Sequence, residues 1–161
     1  MSILTNGLPT NAELRKVIPE KSILSKGPVV ILECFQHIPC DPCAEGCPSG
    51  AIKPFADIND LPIVDYNRCT GCGICISSCP GLAIFVVDTN YSATEAIIKL
   101  PYELLPLPKE GQFVSGLDRE GQKIALVRVL KVLKMKNKTN IISIIVPKKF
   151  AMVIRNISVE V

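Results

Sequence analysis

Apolar residues along the chain fall into short runs, separated by polar segments that contain Gly and Pro. The longest runs are Leu82–Val87 and Ile141–Val146, and Val29–Leu32 forms a third. Apolar runs of this length between turn-forming residues are typical of buried β-strands. None of them approaches the roughly 20 residues that a membrane span requires. We therefore predict strands, and no transmembrane segment.

The last part of the chain, residues 111–161, predicts a small β-rich domain. Turn-forming residues at 118–121 and 136–139 divide it. The segments between the turns are rich in Val, Ile and Leu, and we predict three strands at Gln112–Ser115, Lys123–Leu133 and Asn140–Val146.

Two features of this region allow helix as well as strand. Apolar residues from Leu126 to Leu133 also follow the i, i+3, i+4, i+7 spacing of a helix, although the flanking turns and frequent valine favour a strand. Further on, Pro147 is suited to the first turn of a helix. We expect a short helix there that continues through Phe150 and ends at Asn156.

Two further segments are predicted to be an N-terminal arm and a connection between larger units. Residues 1–27 form a polar N-terminal arm, in which Thr10 and Glu13 have the spacing of a capping box for a short helix that ends near Val17. Residues 91–110 contain three prolines. This density of proline predicts a linker or an extended arm.

The composition permits a packed core, because 48% of the residues are hydrophobic and 20% are charged. The unusual feature is the eight cysteines, all of which lie between residues 34 and 79. Residues 1–7 carry no basic cluster followed by an apolar stretch, so we expect no signal peptide and a cytoplasmic location. Without secretion, clustered cysteines favour a metal site over a disulfide framework.

The cysteine region, residues 28–90, repeats itself. Each half ends in Cys-Pro, a small residue and then apolar residues, at 47–52 and again at 79–84. Apolar residues also precede the first cysteine of each half. The repeat predicts an α+β domain with pseudo-twofold symmetry, in which each half contains a strand, a cysteine loop, a short helix and a strand.

The second half has the spacing of an iron–sulfur site. Cys69, Cys72, Cys75 and Cys79 follow the pattern C-x2-C-x2-C-x3-C-P of bacterial ferredoxins. Its first three thiolates can hold three corners of one cubane. Gly71 and Gly73 let the backbone approach a cluster, so that amide groups can donate hydrogen bonds to the sulfurs. Cys79 is expected to begin the next short helix and to bind the other cluster.

The first half departs from this pattern by three extra residues between its first two cysteines, which gives C-x5-C-x2-C-x3-C-P. We still predict two [4Fe–4S] clusters in a bacterial-ferredoxin-like domain, and each would take its fourth ligand from the opposite half. The ligands of cluster 1 would be Cys34, Cys40, Cys43 and Cys79. The ligands of cluster 2 would be Cys69, Cys72, Cys75 and Cys47.

Two alternatives remain open. Cys34 can be a spare thiol, which would leave cluster 1 with three ligands or absent. Zinc can replace iron, although structural zinc sites are usually built from two separated C-x2-C pairs. His37, the only histidine, lies in the longer first loop. We expect it to lie beside a cluster without binding it.

The charge is divided unevenly along the chain. Residues 1–118 hold 8 Lys and Arg against 13 Asp and Glu, whereas residues 119–161 hold 10 against 2. A basic tail can bind nucleic acid, but Phe150 is the single aromatic residue within it, so stacking surfaces for bases are scarce and we predict no nucleic-acid partner. The tail can equally be a docking surface or a solvated strand edge.

The motifs of a catalytic enzyme are missing from the sequence. There is no G-x-G-x-x-G segment before a helix, no phosphate-binding Walker loop, and no set of Ser, His and Asp residues for nucleophilic catalysis. The chain therefore reads as an electron carrier without a substrate site of its own.

Longer stretches of the sequence carry a more specific resemblance. They include the cysteine segments together with part of the basic tail, namely residues 27–34, 38–43, 47–52, 117–121 and 146–152. Together they resemble the small iron–sulfur subunits that accompany FAD-containing subunits in proline, hydroxyproline and opine dehydrogenase complexes. The resemblance extends over residues 5–156.

This resemblance implies a function. The chain would be the electron-transfer subunit of a hetero-oligomer, and FAD or FMN would be bound by its partner subunits. The bacterial-ferredoxin-like domain would be followed by a small β-rich docking annex. The alternative is a free-standing ferredoxin-like carrier that serves several redox enzymes.

Overall fold

The computed structural model describes residues 3–160 and is organised around one antiparallel sheet. Within these residues the sheet has seven strands. They are β1 (Val29–Leu32), β2 (Ile84–Asp88), β3 (Glu95–Tyr102), β4 (Phe113–Leu117), β5 (Lys123–Leu133), β6 (Asn140–Pro147) and β7 (Asn156–Ser158). Their order across the sheet is β1-β2-β3-β6-β5-β4-β7. The strands predicted in the last third of the chain are confirmed, including β5, where helix was the alternative.

Strands β1 and β2 are apolar on both faces because both faces are covered. Val30 pairs with Val86, and Ile31 pairs with Phe85. Since successive side chains of a strand point to opposite faces, the first pair and the second lie on opposite sides of the sheet. Val30 and Val86 pack in a cluster with cysteines, whereas Ile31 and Phe85 belong to the larger core of the sheet.

The larger core lies against the face of the sheet that carries Ile98, Ile142 and Ile144, all fully buried. Ile154 and Ile157 from the C-terminal segment complete it. Strand β6 pairs with β3 on one side and with β5 on the other, and both of its faces are buried, which explains its almost continuous apolar sequence.

The helices among residues 3–160 are short and lie outside the sheet. They are α1 (Ile3–Asn6), α2 (Asn11–Val17), α3 (Lys21–Leu24), α4 (Pro42–Glu45), α5 (Ile74–Ser78) and a 3-10 helix at Lys148–Phe150. The capping box of α2 is confirmed, because the Thr10 side chain accepts a hydrogen bond from the Glu13 backbone N–H and the Glu13 carboxylate accepts one from the Thr10 backbone N–H. The helix ends at Val17, as predicted.

The Pro-rich segment 91–110 is not simply a linker, and this prediction needs correction. Strand β3 occupies its middle and joins the cysteine-bearing strands to the rest of the sheet. Pro101 is tolerated because the pairing of β3 with β2 extends only to Lys99, so the proline lies where β3 has lost one neighbour. The expected cysteine domain and β annex consequently share one sheet.

Two smaller expectations also need correction. The helix after Pro147 is a 3-10 helix of one turn, and Asn156 begins strand β7 instead of ending a helix. Strand β7 pairs with β4, so the chain end is held in the sheet. Cys79 follows α5 and does not begin a helix. The pseudo-twofold relation between the two cysteine halves stays a prediction.

Candidate iron–sulfur centre

The eight cysteines form two groups of four, and each group lines its own cavity. The first cavity is lined by Cys34, Cys40, Cys43 and Cys79. Cys34 follows β1, Cys43 lies in α4, and Cys79 comes from the other half of the cysteine region, directly after α5. These are the four residues that we predicted for cluster 1, and the long loop before Cys40 does not keep Cys34 away from the others.

The second cavity is lined by Cys47, Cys69, Cys72 and Cys75. Cys47 reaches it from the first half, just after α4, and Cys75 lies in α5. Cys75 is buried whereas Cys72 is exposed. The structure therefore brings together the four residues predicted for cluster 2, and one of them lies at the protein surface.

The sheet forms a wall of each cavity. Val30 and Val86 line the second cavity, and Leu32 and Ile84 line the first. These four residues form two directly paired positions of β1 and β2, on the face that packs against the cysteine loops. Because side chains alternate between the two faces of a strand, one face of this strand pair forms an apolar wall for both sites.

The thiols within each group influence one another. Burial, reinforced by the neighbouring Cys79 thiol, raises the pKa of Cys43 to about 11. Burial raises the pKa of Cys75 to about 12, with further contributions from Cys47, Cys72 and Cys69. Iron binds the thiolate form, so loading must release these protons, and bound iron would supply the positive charge that offsets four neighbouring thiolates.

The two Cys-Pro segments have equivalent hydrogen bonds from a backbone N–H to the cysteine sulfur. The Ala51 N–H donates to the Cys47 sulfur, with a nitrogen–sulfur distance of 3.2 Å, and the Ala83 N–H donates to the Cys79 sulfur at 3.5 Å. Burial by itself would raise the pKa of Cys47. Hydrogen bonds from Ile52, Ser49 and Ala51 outweigh the effect of burial, so the pKa of Cys47 lies below its ordinary value. Donors of this kind stabilise thiolate and cluster sulfur.

Gly71 and Gly73 shape the loop of the second cavity. Gly71 has φ +66°, and a Cβ placed on it would come within 2.5 Å of the Pro28 carbonyl oxygen. Gly73 has φ +83° and precedes α5. Both conformations favour glycine, and Gly71 also lets the loop pack directly against the residue before β1. That their amides would bind cluster sulfur stays a prediction.

His37 lies on the exposed outside of the first loop. Its Nδ1 is 3.0 Å from the Asn59 carbonyl oxygen, a contact that joins the inserted loop to a neighbouring loop. The residues that line the first cavity do not include it. The histidine therefore has a structural hydrogen bond in the inserted loop.

Two arginines, neither of them a predicted site residue, form ion pairs with one glutamate beside the first group. Glu33, which precedes Cys34, accepts hydrogen bonds from Arg119 and from Arg155, with nitrogen–oxygen distances of 2.5 Å and 2.7 Å in the two ion pairs. Burial would raise the pKa of Glu33, but the hydrogen bonds and charges of the two arginines outweigh it and hold the pKa below its ordinary value. Arg119 lies in the turn between β4 and β5, far from Glu33 along the chain. No local motif in the sequence therefore reveals this ion pair.

Another residue that was not a predicted site residue is Lys99 of β3. Its ammonium donates to the Gly71 carbonyl oxygen at 2.9 Å and to the Cys72 carbonyl oxygen at 3.3 Å. The alternation of apolar and polar residues in β3 marks Lys99 as lying on one face of a strand, but the sequence alone does not show what that face meets.

The chemistry of the donor sets fits a pair of cubanes. Each cavity has four thiols, none of the eight cysteines forms a disulfide, and a [4Fe–4S] cluster takes four thiolates. Within residues 3–160, no three His, Cys, Asp or Glu side chains converge on a point that would hold a single metal ion. The same residues include no helix that is long and apolar enough to cross a membrane.

Comparison with known proteins identifies the second cysteine run. Residues 62–85 match the family model described as the 4Fe-4S binding domain. The chain therefore carries a ferredoxin-type iron–sulfur segment. The match covers Cys69, Cys72, Cys75 and Cys79, and the first run lies outside it. No solved structure gives a significant match to the chain.

Curated relatives extend the comparison. The chain is 32% identical over 124 residues to a selenate reductase subunit of Mesobacillus selenatarsenatis, which covers 73% of this chain and 39% of the relative. It is 36% identical over 56 residues to the ferredoxin-type protein NapF of Haemophilus influenzae, covering 34% of this chain and 32% of the relative. It is 45% identical over 47 residues to the pyruvate synthase subunit PorD of Methanothermobacter marburgensis, covering 29% of this chain and 51% of the relative.

These relatives carry the names of a ferredoxin-type protein and of subunits of a reductase and a synthase. The chain spans well under two thirds of the length of each of the three. The similarity therefore supports an iron–sulfur role for the cysteine region and leaves the activity of the whole protein to be proposed.

Proposed function

We propose that this chain is an electron-transfer subunit of an oxidoreductase complex and that it holds two [4Fe–4S] clusters. Cys34, Cys40, Cys43 and Cys79 would bind cluster 1, and Cys69, Cys72, Cys75 and Cys47 would bind cluster 2. The observation that carries the proposal is the pair of cavities, each lined by four thiols drawn from both halves of the cysteine region.

Each cluster, when bound, supplies a one-electron carrier. The chain's own residues would hold each cluster and shield it from water. Thiolates hold the iron, and the apolar wall formed by β1 and β2 limits water on one side of each site. The shared wall also keeps the two sites adjacent, which suits a relay from one to the other. Exposed Cys72 leaves the second site accessible to a redox partner.

We further propose that the partners are FAD-containing subunits of an amino- or imino-acid dehydrogenase of the proline, hydroxyproline or opine type, in the cytoplasm. The resemblance of the cysteine segments and of residues 117–121 supports this assignment. In the structure, that second segment contributes Arg119, which binds Glu33 next to Cys34. A flavin delivers two electrons from a C–N bond oxidation, and two one-electron carriers can accept them in turn.

The first test is a count of iron and acid-labile sulfide per chain in protein purified without oxygen, with EPR spectra after dithionite reduction. We expect about eight of each, since every cubane contains four iron and four sulfide ions. About four of each would mean that only one cavity is loaded. Zinc in place of iron would overturn the redox function.

A second measurement separates a subunit from a free carrier. Native purification under mild conditions should recover the chain with a flavin-containing protein, and the complex should oxidise proline, hydroxyproline or an opine. Recovery of the loaded chain alone would favour a free-standing carrier. The test must use the whole chain, because β3 pairs with β2, and removing residues 91–161 would expose the core of the sheet.

A further inference from the structure

The two cysteine sites differ in how the sheet contacts them, and Lys99 is the clearest difference. Lys99 lies in β3, directly opposite Val86 of β2, which lines the second cavity. Its stem passes within 3.3 Å of the position that a Cβ on Gly73 would occupy. Its ammonium then reaches the carbonyl oxygens of Gly71 and Cys72. One side chain of the sheet therefore binds two residues of the second cysteine loop and passes beside the third.

These contacts place a positive charge against a loop that carries three of the four thiols of the second site. Lys99 is partly buried, so water screens its charge less than that of an exposed lysine. Arg68 adds a second cation nearby, because its guanidinium lies against Gly50, between the segments of Cys47 and Cys69. A cation next to a cluster favours the reduced form, since reduction adds one negative charge.

The first site has a different electrostatic surrounding. Asp60 lines its cavity, and the charge of Asp41 contributes to the environment of Cys40. Beside Cys34, Arg119 and Arg155 are both already paired with Glu33. On the second side, Asp65 is the acidic residue nearest to Cys69 in sequence, and its carboxylate accepts a hydrogen bond from the Asn67 backbone.

We propose that Lys99 is a positioning residue of the second site, which holds the Cys69–Cys75 loop against the sheet and raises the reduction potential of the cluster bound there. An electron would then rest preferentially on the cluster of Cys47, Cys69, Cys72 and Cys75. This inference rests on the proposed function, because it presupposes two clusters, and it adds the direction of electron transfer: from the first site to the second.

The test is an EPR-monitored redox titration of the full chain loaded with both clusters. In the unaltered protein, we expect the cluster of the second site to be reduced first. Cys72→Ser, which changes one ligand of that cluster, identifies which reduction step and which signal belong to it.

Lys99→Met keeps much of the stem and removes the charge. We expect the reduction equilibrium constant of the second-site cluster to fall about tenfold, which corresponds to about 59 mV for one electron. Lys99→Arg should restore most of the potential, because it keeps the charge and the donors. A role limited to filling space would be satisfied by methionine and would leave the potential unchanged.

Lys131→Met is the matched control. Lys131 and Lys99 both pair with Ser143, from opposite sides of β6, so they occupy one row across the sheet, but Lys131 is exposed. We expect its removal to leave both potentials within error of the unaltered protein. Equal shifts in the Lys99→Met and Lys131→Met variants would overturn the inference, as would a second site that is reduced last.

Failure of this inference can be told apart from failure of the proposed function. A chain that contains about eight iron atoms but shows no response to Lys99→Met contradicts the role of Lys99 alone. A chain that binds zinc, or no iron, contradicts the function from which the inference was drawn.

Discussion

In the sheet, Ile98, Ile142 and Ile144 are fully buried, and β6 is paired with a neighbour on each side. In the cysteine loops, by contrast, regular structure is limited to α4 and α5, and most thiols are only partly buried. The sheet is stabilised by apolar burial and by its own backbone hydrogen bonds. The loops depend on a few specific contacts with the sheet and on whatever their thiols bind.

The residues that stabilise the fold and the residues that form the candidate sites therefore lie in different parts of the chain, which meet at one pair of strands. Strands β1 and β2 belong to both regions, since one face packs into the sheet core and the other lines the two cavities. A change in the loops should affect cluster loading and leave the sheet folded. A change in the sheet core should affect the free energy of unfolding before it affects the clusters.

The largest expected effect separates the loops from the sheet. Gly71→Ala places a methyl group against the Pro28 carbonyl oxygen at a residue with positive φ, so the second loop cannot keep its position beside β1. We expect the iron content to fall from about eight to about four atoms per chain, with the far-ultraviolet circular dichroism of the sheet retained.

Gly111→Ala serves as the control for this variant. Gly111 also has positive φ, +83°, but a Cβ there would have no atom within 4 Å. The substitution should cost about 1 kcal/mol of backbone strain and leave the iron content unchanged. Equal iron content in the two variants would mean that the packing of Gly71 on Pro28 is not needed for cluster binding.

The next largest effect concerns the ion pairs that join the two regions. Glu33→Gln removes the charge that Arg119 and Arg155 share, and it leaves Arg155 buried without a counter-ion. Removing one partner of a buried ion pair typically costs about 3–5 kcal/mol. Denaturant unfolding should show this loss, whereas Glu120→Gln, at an exposed position of the same turn as Arg119, should change stability by less than about 0.5 kcal/mol.

A substitution in the sheet core tests the opposite side of the comparison. Ile144→Ala removes a fully buried side chain, and we expect a loss of about 2–5 kcal/mol in the free energy of unfolding. Leu126→Ala, at a side chain that is 55% exposed, should lose little. Both variants should bind as much iron per folded chain as the unaltered protein. Loss of one cluster in Ile144→Ala would show that the two regions are not separable.

The dependence of the free energy of unfolding on pH, in the acidic range, should reflect the ionisation of Glu33. Its pKa in the folded protein is below the ordinary value of 4.5, because the two arginines outweigh the effect of burial. The stabilisation is therefore fully present above about pH 4.5 and is lost as the pH falls through the folded pKa. Glu33→Gln should flatten this part of the profile in denaturant unfolding measured between neutral and acidic pH. An unchanged acid slope would mean that other carboxylates dominate it.

The smallest expected effect lies in the N-terminal arm, at the cap of a short helix outside the sheet. Thr10→Ala removes the side-chain cap of α2, which should cost about 1 kcal/mol. Iron content and reduction potentials should not change. A loss as large as that of Ile144→Ala would indicate that the arm is part of the sheet's cooperative unit.

Several elements were predictable from the sequence because their signals are local. The cap of α2 depends on two residues three positions apart, and β5 was marked by its flanking turns as much as by its apolar residues. The spacing of Cys69, Cys72 and Cys75 likewise indicates a cluster loop without reference to the rest of the chain, and the family comparison bears this out. A feature that depends only on residues close together in the sequence can be predicted from their spacing.

The failures have the opposite origin. Strand β3 lies in segment 91–110, whose three prolines suggested a linker or an extended arm, and only its pairing with β2 and β6 makes it a strand. Glu33 and Arg155 lie far apart in sequence, so the ion pair that joins them has no local signature. The short helix predicted after Pro147 gave way to strand β7, whose partner β4 is distant along the chain.

The sequence by itself determined the ligand chemistry, the local turns and most strand positions, because these depend on residue type and on short spacings. Only the tertiary structure decided that Cys34 joins the other three thiols of its cavity, that one sheet lines both cavities, and that Lys99 contacts the second cysteine loop. The physical reason is that side chains from distant segments meet only when the strands that carry them are paired. Strand pairing across a sheet is fixed by the burial of the whole core and not by any one segment.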